Sequence, residues 1–162
     1  MKVFINNKVY VQIKDILFIS RMLSNIKMEC PKSVLVRMFQ IIRSNENKYN
    51  FIEFSNKEEI DFFKKLDFII SYKEYKNITH EKMTGYIENI GNDLYILAEK
   101  FQDLSEKEQE NKYEKYQALC EEKYYKMESI REIYKISIGE LSIDLPKKEK
   151  MFKKIFSKNR KG

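Results

Sequence analysis

The sequence predicts a mostly helical α+β fold, with a small antiparallel sheet and short helices packed against a long antiparallel helical hairpin. Three observations predict it. Residues 79 to 138 carry two apolar stripes of matching length, the amino terminus alternates as a two-stranded hairpin does, and the segments between switch repeatedly between helical and extended periods.

The long hairpin rests on spacing. Met83, Ile87, Ile90, Leu94, Leu97, Phe101 and Leu104 follow steps of four and three. That average of about 3.5 residues keeps one seam turned toward a neighbouring helix. Tyr113, Tyr116, Cys120, Tyr124, Met127, Ile130 and Tyr134 repeat the pattern over an equal length. Ser105 stands between the stripes, three residues before Glu108, the spacing of a capping box that closes one helix and opens another. Each arm is then about 30 Å long at a rise of about 1.5 Å per residue. Gly85 and Gly91 interrupt the first arm, and the reading favoured is that they permit close approach of the second.

At the amino terminus, Lys2 to Ile5 and Lys8 to Ile13 are β-prone runs joined by Asn6 and Asn7, which tolerate the positive φ of a two-residue turn. The period changes at Asp15, a candidate helix cap, after which Ile16, Ile19, Leu23 and Ile26 share one helical face. Pro31 suits the first turn of a second helix, whose buried face is Val34, Leu35, Met38, Ile41 and Ile42. Phe51 to Phe54 reads as a strand. Ser55 and Glu58 have capping-box spacing and open a short helix with Ile60, Phe63 and Leu66 inward. Phe68 to Tyr72 reads as a strand, and so does the alternation of Leu141, Ile143 and Leu145, with Gly139 ending the hairpin and Pro146 ending the strand.

This places one domain over residues 1 to 146 and a basic tail over 147 to 162. The tail holds Lys147, Lys148, Lys150, Lys153, Lys154, Lys158, Arg160 and Lys161 against Glu149, a charge of +7. Since the whole chain carries +6, the preceding 146 residues carry −1. The basicity is therefore local and does not describe a basic folded surface. Met151, Phe152, Ile155 and Phe156 interleave with the tail lysines at helical spacing, a pattern suited to an anionic membrane surface, to nucleic acid through the lysines alone, or to a disordered solubilising tail that docks in part on its own body.

Composition narrows the chemistry. His80 is the single histidine, Cys30 and Cys120 lack metal-ligand spacing, and the four glycines form no phosphate-binding pattern. Asp67 with Glu74 and Lys76 could be read as a metal-dependent nuclease site. The same acid-x-Lys spacing recurs at Glu110 with Lys112 and at Glu121 with Lys123, so it carries little information. No catalytic residue, cofactor or metal site is therefore assigned. Two cysteines are too few to staple a chain of this size, and the first residues alternate polar and apolar instead of offering a signal-type apolar stretch. A cytoplasmic protein is expected. The excess of Lys over Arg points to an AT-rich bacterial or phage genome.

The expectation is a non-catalytic module that binds an unknown protein partner, or a second copy of itself, through the hairpin, as an inhibitor or accessory factor of a phage or mobile element would. Tyr113, Tyr116, Tyr124, Tyr125 and Tyr134 are its candidate contacts, because tyrosine combines large contact area with a polar tip. The alternative is a nucleic-acid or membrane-surface protein acting through the tail.

Overall fold

Asn6 and Asn7 hold φ of 48° and 62°, the left-handed region that a tight two-residue hairpin turn requires. They join β1 (Lys2–Ile5) to β2 (Lys8–Gln12), and β2 pairs on its other side with β3 (Phe51–Phe54). Both pairings are antiparallel, with Val9 opposite Phe54 and Val11 opposite Ile52 on the core face and Tyr10 opposite Glu53 on the other. The computed structural model describes residues 1 to 147.

Helix α1 (Ile13–Met22) continues directly from β2 and runs into a single 3-10 turn at Leu23–Asn25. It begins two residues before the cap expected at Asp15. That carboxylate is fully buried in the first turn, because partners on other elements hold it there. Helix α2 (Lys32–Ile42) starts just after Pro31, whose carbonyl accepts from the amides of Val34 and Leu35 at 3.1 Å each. Val34, Met38 and Ile41 face the core as expected, but Ile42 does not and is 55% exposed. α2 carries seven apolar residues among its eleven, more than one buried face takes up.

Helix α3 (Lys57–Lys65) has its capping box at Asn56 and Glu59, one residue later than expected. Asn56 Oδ1 accepts from the Glu59 amide at 3.2 Å, and Glu59 Oε1 accepts from the Asn56 amide at 3.1 Å. The two overlapping motifs have the same spacing. The register adopted buries Phe62 together with Phe63 and Leu66. Phe68 to Tyr72 is not a strand: it makes one parallel bridge, Lys2 with Ser71, and Tyr72 opens the one-turn helix α4 (Tyr72–Tyr75). Phe68, Ile69 and Ile70 are buried in succession, so the segment has the apolarity of a strand without a ladder.

The hairpin reverses at Ser105 as expected. Helix α5 (His80–Gln102) ends at Asp103 and α6 (Glu106–Ser137) starts after Ser105, whose hydroxyl accepts from the Glu108 amide at 3.3 Å. The Glu108 carboxylate meets the Ser105 hydroxyl at 3.4 Å. Gln109 completes the turn, its Nε2 donating to the carbonyls of Phe101 and Leu104 at 3.1 and 3.2 Å, which supplies partners to the end of α5. At the far end Gly139 has φ of 80°, and bonds from Glu140 to Lys135 and from Gly139 to Ile136 form a Schellman stop. Leu141 to Leu145 is not a strand among the described residues, and its first amide bonds back to the Lys135 carbonyl at 3.2 Å. Ile143 and Leu145 lean on the core, so the alternation reports one-sided burial, which an isolated segment satisfies as well as a strand.

Two apolar clusters result. One joins the sheet, α1, α2 and α3 around Val9, Val11, Ile16, Ile19, Val34 and Phe63. The other joins the hairpin to Met1, Ile70, Tyr75 and Ile78 through Ile90, Met127, Ile130 and Ile133. A methyl group added at Gly85 or Gly91 would meet no atom of the facing helix within 4 Å, so neither glycine is required for close helix approach, contrary to the expectation. Gly91→Ala should therefore raise the unfolding free energy by about 1 kcal/mol, the helical preference of alanine over glycine. Gly139→Ala should lower it by about 1 kcal/mol through its positive φ. Urea denaturation of both variants measures the two signs.

Candidate functional site

Helices α5 and α6 lie antiparallel along the expected seam, and side chains pair across it. The Phe101 ring meets Tyr116 at 5.4 Å and Tyr113 at 6.3 Å, His80 meets Tyr134 at 5.7 Å, and Lys123 reaches Asp93 at 3.5 Å. The five candidate tyrosines accordingly part company. Tyr116 and Tyr134 are half-buried in the seam, whereas Tyr113 and Tyr124 remain 56% and 57% exposed. Eleven residues separate these two, three helical turns, so they share one face about 16 Å apart. Tyr95 and Ile96 on α5 are also exposed and were not singled out from the sequence, because they fall outside the apolar stripe.

Tyr125 has a different role. Its ring stacks on Phe18 at 3.8 Å, and its hydroxyl donates to Asp15 Oδ1. The amino group of Met1 bonds the other carboxylate oxygen and Gln12 Oε1, the latter at 2.7 Å. Lys14 completes the junction, reaching Asp15 at 3.5 Å and Glu132 of α6 at 2.8 Å. Burial opposes charge on Asp15, and the adjacent amino group, Lys14 and the Tyr125 hydroxyl outweigh it, so its pKa stays below the usual carboxylate value. The Tyr125 hydroxyl is pushed far above its ordinary pKa by burial and by the carboxylate beside it. α6 thus has two buried faces. Met127 and Ile130 serve the seam, while Ala118, Tyr125, Ser129 and Ile133 turn to the body or to the elements at its base. The second face was legible as a separate three-and-four spacing at Ala118, Glu122, Tyr125 and Ser129, hidden by its mixed polarity.

Between hairpin and body lies an open cleft of about 360 Å³, with Ile26, Met28, Phe68, Ile90 and Leu119 among its lining residues. Lys126 spans it to Asp67 with Nζ–O distances of 3.0 and 3.2 Å. An adjoining cavity of about 300 Å³ includes Asp67 and Glu74 but not Lys76, so the acid-x-Lys trio does not converge there. Lys2 is at that cavity too, its ammonium donating to the carbonyls of Phe63 and Leu66 at 2.7 and 2.8 Å at the end of α3. Burial lowers its pKa to about 8. Among the described residues no group of three His, Cys, Asp or Glu side chains is placed to hold a metal ion. Cys30 and Cys120 are free, and burial raises both thiol pKa values, that of Cys30 to about 11, so both are protonated at neutral pH. Of the basic tail, Lys147 is exposed at the end of the described chain, and Lys148, Lys150, Lys153, Lys154, Lys158, Arg160 and Lys161 lie outside the described residues.

No family model, curated protein or solved structure matches this chain. No described helix is long and apolar enough to cross a membrane.

Tyr125→Phe keeps the stacked ring and removes one hydrogen bond to a buried charge, so it should cost about 2 kcal/mol in chemical denaturation. Asp15→Asn should cost more, about 3 to 5 kcal/mol, by leaving the opposing charges without a partner. A lowered folded-state pKa contributes stability above the unfolded value and loses it as pH falls through the folded one. Stability should therefore decline below about pH 4, and Asp15→Asn should flatten that limb in denaturation midpoints taken across the acid range.

Proposed function

We propose that this chain is a non-catalytic protein-binding module that works through its helical hairpin, as an inhibitor or accessory factor of a phage or mobile element would. The observation that carries the reading is the exposure of Tyr113 and Tyr124 on one face of α6, with Tyr95 exposed at 65% on α5. Aromatic side chains that keep more than half their surface in water on a long helix offer contact area to a partner, and tyrosine is enriched among residues that dominate binding energies. The base of the hairpin is held by the Asp15 junction and by the Lys126 to Asp67 pair. A partner therefore meets helices whose ordering is already complete, which reduces the entropy lost on association. The partner is another protein or a second copy of this chain.

A second reading rests on the tail. Its charge of +7 over sixteen residues is the one concentrated electrostatic feature of the sequence and suits nucleic acid or an anionic membrane surface.

A photo-reactive residue placed at 113 or 124 should trap one saturable partner in the native host, and the same residue at exposed Lys64 should not. Tyr113→Ala combined with Tyr124→Ala should weaken that partner about tenfold or more, with only a small loss of thermal stability from the Phe101 to Tyr113 contact. Trapping at 64 equal to that at 113 would overturn the hairpin reading. For the tail, truncation after Pro146 should abolish salt-dependent binding to DNA, RNA or anionic vesicles, and undiminished binding by the truncated chain would refute it.

A further inference from the structure

The outer face of α2 is used by neither the core nor the hairpin. The inner side of this helix, Val34, Met38 and Ile41, is buried in the first apolar cluster. Val36 and Phe39, turned away from that side, and Ile42 at its edge are 56%, 67% and 55% exposed. Isolated surface apolar residues are ordinary, but three large ones within two helical turns make a patch of the sort that marks an interaction site. Helical spacing sets Lys32, Val36, Phe39 and Arg43 in one stripe through steps of four, three and four, with Ile42 beside Phe39. The stripe is about 16 Å long. It is apolar at its centre and cationic at both ends. Neither Lys32 nor Arg43 has an ion-pair partner among the described residues, and no acidic residue occurs between Lys32 and Asn45.

We propose that this face docks an amphipathic helix of a partner protein whose apolar stripe is flanked by Asp or Glu. Phe39 is the central anchor, and Lys32 and Arg43 meet the acidic flanks. Charge selects this occupant over the others. A second copy related by a two-fold axis would set one cationic stripe against another, which complementarity forbids. A nucleic-acid backbone would meet Lys32 and Arg43 but give Val36, Phe39 and Ile42 nothing to bury against. An anionic bilayer is usually engaged by clusters of roughly four to eight basic residues, and this face presents two. An acidic amphipathic helix satisfies both the apolar centre and the charged ends, in the helix-to-apolar-surface mode that many recognition modules use.

The test uses two synthetic helices with the same Leu and Phe stripe, one flanked by Glu and the other by Lys, titrated against the full chain by fluorescence anisotropy at moderate salt. The Glu-flanked helix should bind about tenfold tighter or better than the Lys-flanked one, and Phe39→Ala should weaken it by about tenfold or more. Lys32→Glu with Arg43→Glu should invert the preference. Because all three side chains are exposed, thermal unfolding should not move. Tyr113→Ala with Tyr124→Ala should leave the affinity unchanged, which separates this surface from the hairpin. Failure of both helices to bind, or equal binding of the two, would overturn the proposal. Binding that survives Phe39→Ala and the double charge reversal would assign the acidic peptide to the basic tail and would also overturn it. So would sedimentation showing self-association abolished by Phe39→Ala, or flotation with anionic vesicles lost in that variant, since these assign the face to a second copy or to a bilayer.

Discussion

Asp15 is the constraint on which the arrangement of this molecule depends. A carboxylate with no exposed surface has to be matched by opposing charge and by hydrogen-bond donors, and those come from three places in the chain: the amino group of Met1, Lys14 beside it and Tyr125 more than a hundred residues later. The partners lie at the chain start before β1, on α1 itself and on α6. The charge can be buried only when the first strand, α1 and α6 have all arrived, so the junction is an all-or-none tie between hairpin and body. Apolar contacts alone would permit small slides of α6 along the body, whereas a buried charge with directional partners tolerates one placement.

The second consequence concerns α6. A hairpin held only at its seam would project as a free pair of rods, but the Phe18 to Tyr125 stack and the Lys14 to Glu132 bridge give this helix a second set of contacts. The half of the hairpin near the body is thereby braced, while among the described residues the half near Ser105 rests on its own seam, chiefly Phe101 with Tyr113 and Tyr116. Tyr113 takes part in that seam at its edge, yet it and Tyr124 both keep more than half their surface in water. The same division appears in α2, which has one face in the core and an apolar remainder in water.

Much of the architecture was legible where a local rule has a single solution. The Asn6 and Asn7 turn, the reversal at Ser105 and the stop at Gly139 each follow from a backbone requirement that few residues meet, and each stands where the residues indicate. The rule failed where two solutions share one pattern. Ser55 with Glu58 and Asn56 with Glu59 are equally spaced, and the helix takes the second pair. An acid near a helix start reads as a cap, yet Asp15 points inward because its partners are remote in sequence. Leu141 to Leu145 alternates as a strand does, yet no strand among the described residues presents a backbone to it.

By itself the sequence determined the helical hairpin, its reversal, the amino-terminal β-hairpin and the confinement of excess positive charge to the last sixteen residues, because each depends on periods, caps or charges within one segment. Only the tertiary structure decided which tyrosines are spent in packing and which face water, why Ile42 lies outside the core, and that Asp15 is the anchor between body and hairpin. Those outcomes depend on which surfaces meet when the segments come together, and a helix with more apolar residues than one face can bury does not record in its own sequence which of them will be covered.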